Sequence, residues 1–304
     1  MSNKQASITV VVVAYNMERE IPRTLTTLLP PYQKGIALSD VNIIVVDNGS
    51  TNPLTLNDMP ENVSLITIND PISSPAQALN LGVEAATTDL VTLWIDGARM
   101  ASPNLISMSL LASKLNDRVI VSTLGFHLGA KAQQFSQQQG YSQDVEDALL
   151  SSLDWQSNGY RLFEISSFGG SCKNGWFSAI SESNAITMSK TVFSELGGLD
   201  ERFVKAGGGL VNLDFFQRAV VLPNCQQVCL LGEGTFHQYH GGAATNQPNH
   251  TEVWEDNLAE YQQIFGEPFI CPDTIDWLYV GKVPKELYPS LRFLINEWEV
   301  NDVK

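Results

Sequence analysis

Residues 8–15 read ITVVVVAY. β-Branched side chains fill this run with no polar position alternating between them. Such a run suits a strand buried on both faces, as in a parallel sheet covered by helices on either side. The residues that follow change period. Over residues 18–29 the apolar positions Ile21, Leu25, Leu28 and Leu29 recur at helical spacing, and Pro30-Pro31 ends the segment. A second buried strand is expected at residues 42–46, closed by the turn Asp47-Asn48-Gly49-Ser50. Working outward, strands are expected at 63–68, 90–95 and 119–124, and helices at 75–86 and 103–115. This alternation predicts an α/β fold, a doubly wound, mostly parallel sheet with helices on both faces. Ligands of such sheets bind beyond the carboxyl ends of the strands. Tyr15-Asn16, Asp47 to Ser50 and Asp96-Gly97 all sit at such ends, so one crevice should collect them.

The alternation stops at residues 126–172, which are rich in Gln and Ser and read as an inserted helical or mobile segment outside the sheet. Beyond it come a strand at 184–188, a short helix at 190–196, the triplet Gly207–Gly209, a helix at 212–221 and a strand at 227–231. The tail carries helical patterns at 252–265 and 285–298. There is no internal repeat. The expected organisation is one domain over 1–245, split into 1–125, an insertion at 126–172 and a second half at 173–245. A C-terminal helical extension follows at 246–304.

The 304 residues carry a formal net charge of −15 and are 43% hydrophobic, which excludes a disordered chain and disfavours nucleic acid as a partner. Cys172, Cys225, Cys229 and Cys271 lack zinc-site spacing and read as free thiols of a reducing compartment. No signal segment or membrane-length apolar run is visible, so a cytoplasmic protein is expected.

Five motifs occur in order: VVVAYNMEREI (11–21), VVDNGST (45–51), ALNLGVEAA (78–86), WIDGA (94–98) and SNAITMSKTVFSELGGLDERF (183–203). Together they resemble the family 2 glycosyltransferases of the GT-A fold. The resemblance implies a transferase that takes a sugar from a nucleotide-diphosphate donor to a carbohydrate or lipid-linked acceptor, plausibly in surface polysaccharide biosynthesis. Membrane contact would be peripheral. By the resemblance, residues 1–125 hold the nucleotide sugar and 173–245 the acceptor. Ala14, Tyr15 and Asn16 would line the nucleotide pocket and Asp47 would contact the base. Asn80 and Gly82 would face the nucleotide, and Asp96 matches the first acid of the metal-binding D-x-D. The chemistry needs such residues because a nucleoside diphosphate leaves with growing negative charge. A divalent cation, Mn²⁺ or Mg²⁺, or a fixed positive side chain stabilises it.

Departures from the family pattern leave alternatives open. The D-x-D reads Asp96-Gly97-Ala98 with Arg99 next. Asp96 alone holds the metal from this strand, Arg99 takes part of the charge role, or the site is silent. The family's donor-contacting Arg is Leu79 here. The acidic motif of the second half reads Val211-Asn212-Leu213-Asp214 with Arg218, so Asp214 is the retained acid and Glu182 a rival base; Asp200 is a third acid. A retaining enzyme would need no protein base. The segment GEGTFHQYHGG (232–242) places His237 and His240 three apart among glycines, either as replacement metal ligands or as loop histidines, with Glu233 beside them. His127 and His250 read as surface residues, and Trp155 and Trp176 as candidates to stack an acceptor sugar. The rival classes are a silent GT-A domain that binds sugar or partner, and a sugar-phosphate nucleotidyltransferase. The latter is disfavoured because residues 15–18 are not a basic Gly-rich loop.

Overall fold

The structure is a computed structural model that describes residues 7–56, 59–241, 250–289 and 291. Along the chain run β1 (Ile8–Ala14), α1 (Ile21–Leu28), β2 (Val41–Asp47), β3 (Val63–Thr67), α2 (Ala76–Ala85), β4 (Leu90–Trp94), β5 (Arg99–Ala101) and α3 (Leu105–Ala112). Then come β6 (Val119–Leu128), α4 (Gln133–Ser136), α5 (Gln143–Ser151), β7 (Ser166–Phe168), β8 (Ala185–Ser189), α6 (Lys190–Glu195), α7 (Val211–Val220), β9 (Gln226–His237), α8 (His250–Phe265) and β10 (Leu278–Gly281). The sheet runs β10-β9-β6-β8-β4-β1-β2-β3, with β5 added to β9 and β7 to β6. Pairings among β1 to β4 are parallel, as are β6 with β9 and β9 with β10. β8 enters antiparallel between β4 and β6.

The β-branched run of β1 explains the layering. Val11 and Val13 join one apolar cluster with α2 residues Leu79 and Val83. Ile8, Val10 and Val12 join another with α1 residues Ile21, Leu25 and Leu28. Alternate side chains leave a strand on opposite faces, so a strand apolar at every position needs a helix on each. β2 obeys the same rule, with Ile44 and Val46 on one side and Ile43 and Val45 on the other.

Three expectations are corrected. Residues 126–172 are not outside the sheet. β6 runs on to Leu128, and β7 pairs with its last residues. The cause is an aromatic cluster: Phe126 packs against Phe163, Phe168, Trp176 and Phe236, which draws the insertion onto the sheet. The tail is not purely helical, because β10 pairs parallel with Val228 to Leu231. Of the expected helix at 285–298, a short 3-10 turn occupies Lys285–Leu287, and most of the remainder lies outside the described residues.

Gly82 does not face the crevice. A Cβ there would lie 2.2 Å from Val11 Cγ1 and 3.1 Å from Val46 Cγ2. The glycine lets α2 approach β1 and β2 closely. Gly82→Ala should therefore destabilise the protein by about 1–3 kcal/mol through overpacking, read from denaturant unfolding. Unchanged stability would show that the valines yield freely.

Candidate active site

A cleft of about 980 Å³ opens at the carboxyl ends of the central strands. Asp96, Arg99, His127, Glu182, Asn184, Asn212, His237 and His240 line it, together with Tyr15, Asn16, Asn48 and Gly49. The loop after β4 is pinned from below. The Gly97 amide donates to Val13 O at 2.7 Å and Thr24 Oγ1 donates to Gly97 O at 2.6 Å. A Cβ on Gly97 would sit 2.6 Å from Val13 O, so only glycine fits between Asp96 and Ala98.

This loop holds Asp96 against two histidines. Asp96 Oδ2 lies 2.8 Å from His237 Nε2, and Oδ1 lies 3.7 Å from His240 Nε2. The two Nε2 atoms are 3.2 Å apart. Asp96, His237 and His240 each offer one ligand atom, all within 4.8 Å of one another. Gln133 of α4 decides the tautomer. Its Nε2 donates to His237 O at 2.9 Å, so its Oε1, 2.6 Å from His237 Nδ1, must accept the Nδ1 proton. The neutral His237 ring then turns a lone pair toward a carboxylate oxygen. Two acceptors at that distance call for a cation or a proton between them. Burial pushes His237 down to about 4, which leaves the ring neutral near pH 7. Burial also opposes a charge on Asp96, but positive charge on the histidine side outweighs it and holds the carboxyl well below the usual range. One carboxylate with two imidazole nitrogens suits Mn²⁺-like ions and fits a divalent cation here.

The other expected residues divide. Tyr15 and Asn16 line the cleft, and Asn16 takes a positive φ of 53° while its Oδ1 accepts from the Thr51 amide at 2.8 Å. Ala14 is buried beneath them and acts through its carbonyl, which accepts from the Asn48 amide at 2.8 Å. Asp47 is fully buried; its two oxygens accept from the amides of Ser50 and Leu54, each at 2.9 Å, so it shapes the turn while Asn48 and Gly49 face the cleft. Asn80 is turned away, exchanging hydrogen bonds with Leu199 at 3.0 Å each way and donating to Glu201 at 2.8 Å. Asp214 is also outside the cleft. It is buried on α7 and ion-paired with Arg218 at 2.8 Å. Burial raises its pKa, and Arg218 engages its Oδ2 from both Nε and Nη2. The carboxylate at the cleft is Glu182, which accepts from Asn212 Nδ2 at 2.5 Å. Asp200 pairs with Arg202.

Three further readings are corrected. Glu233 does not join the histidines; it accepts from Ser102 Oγ and Tyr160 OH, each at 2.5 Å, and ties the insertion to the sheet. Trp155 and Trp176 are buried, and Trp176 donates to Leu230 O at 2.9 Å. The aromatic that does reach the cleft from the tail is Trp254, 44% exposed on α8. His127 is buried, its ring 5.2 Å from that of His237. The His250 side chain lies outside the described residues.

A family profile described as glycosyltransferase like family 2 matches residues 9–231. The chain belongs to that family. Its fold is GT-A. S. aureus TarS superposes with a TM-score of 0.50 at 13% identity, covering 84% of this chain and 40% of that one. TarS 1-349 in complex with UDP-GlcNAc also gives 0.50 at 13% identity, covering 84% and 66%. The chain thus spans less than two thirds of either. The mannosyltransferase PcManGT from Pyrobaculum calidifontis, in complex with GDP-Man and Mn2+, gives 0.47 at 14% identity, covering 95% and 68%. No curated protein matches by sequence. Among the described residues, no helix of this family 2 chain is long and apolar enough to cross a membrane.

The insertion also braces the segment before His240. Glu146 Oε2 accepts from the Tyr239 amide at 2.7 Å, while Arg19 Nη1 donates to Tyr239 O at 3.3 Å and Arg19 Nη2 pairs with Glu146 at 3.3 Å. Burial lifts Glu146 to about 7 despite these donors. A carboxyl raised on folding adds stability that is complete below its unfolded pKa and lost as pH rises through the folded one. Between pH 5 and pH 8, wild type should therefore lose about 1–3 kcal/mol relative to Glu146→Gln, measured by denaturant unfolding at both values. Parallel pH profiles would refute this.

Proposed function

We propose that this chain is a glycosyltransferase that moves a sugar from a nucleotide-diphosphate donor to a hydroxyl of a carbohydrate or lipid-linked acceptor. The observation that carries the reading is the convergence of Asp96, His237 and His240 in one cleft with Glu182. The nucleotide lies over the ends of β1 and β2, between Tyr15, Asn16, Asn48 and Gly49. Asp96, His237 and His240 would hold Mn²⁺ or Mg²⁺, which when bound supplies charge neutralisation to the diphosphate. Two imidazoles favour the Mn²⁺-like ion.

Glu182 serves as the base. Asn212 Nδ2 donates to one of its oxygens, which orients the other toward an incoming acceptor. The acceptor oxygen forms a bond to the anomeric carbon as the bond from that carbon to the diphosphate oxygen breaks. The electron pair leaves with the nucleoside diphosphate, and the hydroxyl proton passes to Glu182. This is a single displacement with inversion. Trp254, exposed on α8 at the cleft, offers a stacking face for the acceptor. The reaction belongs in the cytoplasm, with the enzyme peripheral to any membrane that carries the acceptor.

Calorimetry across UDP, GDP, dTDP and CDP, with and without Mn²⁺, tests the reading. One nucleotide should bind in a Mn²⁺-dependent way, and Asp96→Ala and His237→Ala should each weaken that binding at least tenfold, about the loss expected for a metal ligand. Glu182→Gln should leave nucleotide affinity intact and lower transfer by about 10²–10⁴. Binding with neither hydrolysis nor transfer of any nucleotide sugar would leave a binding domain. Absence of nucleotide binding would sink the proposal.

A further inference from the structure

The deep end of the cleft holds a cation whose donors make no hydrogen bond within the protein among the described residues. Arg99 is 7% exposed and lines the cleft. Among the described residues its ion-pair partner is Asp96, whose Oδ2 lies 3.7 Å from Nε, too far for a hydrogen bond. Among the described residues its guanidinium makes no hydrogen bond, and Nε is buried without a partner. Strand register explains the placement. Arg99 of β5 stands opposite His237 of β9, which stands opposite His127 of β6. Two residues before His127, on the same face, comes Gly125. A Cβ there would lie 3.4 Å from Arg99 Nη1 and 3.7 Å from Asn184 Nδ2. The missing side chain leaves room for the guanidinium to lie over β6.

Two neutral donors join it. Asn184 Oδ1 accepts from Asn212 Nδ2 at 3.4 Å, while that same amide gives its better bond to Glu182. Asn184 is thereby oriented with Nδ2 free, and it has no acceptor among the described residues. His127 Nδ1 accepts from the Gln133 amide at 3.0 Å, so the neutral ring carries its proton on Nε2, also without an acceptor. A guanidinium with only a long ion pair to Asp96, an amide and an imidazole N–H thus line one end of the cleft. Leaving the buried Nε of Arg99 unmet is costly. A planar carboxylate meets these donors, bidentate on the arginine.

The position along the cleft says which part of the donor would carry it. Nucleotide-side residues lie over β1 and β2, the carboxylate–histidine cluster follows at Asp96, and Arg99 reaches beyond it over β6, beside Glu182. That is the place of the transferred sugar. We propose that Arg99, Asn184 and His127 form a carboxylate subsite, so that the donor is a nucleotide-activated uronic acid. This deepens the proposed transfer reaction and rests on it. The other anion in reach is the donor's own diphosphate, and the test separates the two.

Calorimetry in Mn²⁺ would compare a neutral and an acidic sugar on the base selected by the nucleotide series. For uridine, thymidine or cytidine these are the glucose and glucuronic acid diphosphate esters; for guanosine, GDP-mannose and GDP-mannuronic acid. Wild type should bind the uronic acid ester at least tenfold more tightly. Arg99→Met should bring that ratio near one while changing affinity for the free nucleoside diphosphate by less than threefold. Equal wild-type affinities would overturn the subsite and leave the transferase reading standing. So would an Arg99→Met variant that loses free nucleotide as steeply as the uronic acid ester, since Arg99 would then serve the diphosphate. If no nucleotide binds, both readings fall. The wild-type ratio decides the matter even if the variant does not fold.

Discussion

Two hydrogen-bond acceptors, Asp96 Oδ2 and His237 Nε2, face one another at 2.8 Å with the ring proton committed to the far side. The rest of the site is arranged to keep that confrontation in place. Gly97 seats the Asp96 loop on β1, and Thr24 of α1 bonds to the same glycine. Gln133 fixes the imidazole, and Glu146 with Arg19 grips the peptide before His240. Left to itself a protein relaxes such a pair apart or shares a proton across it. Here the backbone on both sides is anchored to other strands, so the arrangement favours a cation.

The insertion is therefore part of the machinery of the cleft. Its α4 supplies Gln133, its α5 supplies Glu146, and its Tyr160 bonds to Glu233 under the sheet. Removing a segment that looks like a surface elaboration would release His237 at the end of β9, and the peptide before His240, from their partners.

The layered sheet was legible because strands buried on both faces leave continuous apolar runs, as in residues 8–15, that no helix or loop imitates at that length. The residues of the candidate cation group were legible in kind, since acids and imidazoles near strand ends have few structural uses. Side-chain direction was not. Asp47, Asn80 and Asp214 carry the expected letters, yet their lone pairs or protons go to the Ser50 and Leu54 amides, to Leu199, and to Arg218. Those partners are set by tertiary packing that a one-dimensional motif cannot register. His127 was misplaced for the same reason. The strand that carries it continues through a polar stretch because Phe126 is held by four aromatic rings. Gln133 gave no signal, because a glutamine among glutamines looks like solvent-facing sequence.

β10 closes the open side of β9, pairing with Val228 to Leu231. The strand that delivers His237 is thus completed by a segment some distance further along the chain. During synthesis, every residue of the cleft from β1 to β9 emerges before residue 278. Until then the β9 edge, with Val228 and Leu230 beside it, stands uncovered and able to pair with a neighbouring chain. β10 acts as a seal on a nascent molecule, and a chain cut short before it would carry the cleft residues of β1 to β9 with this edge open.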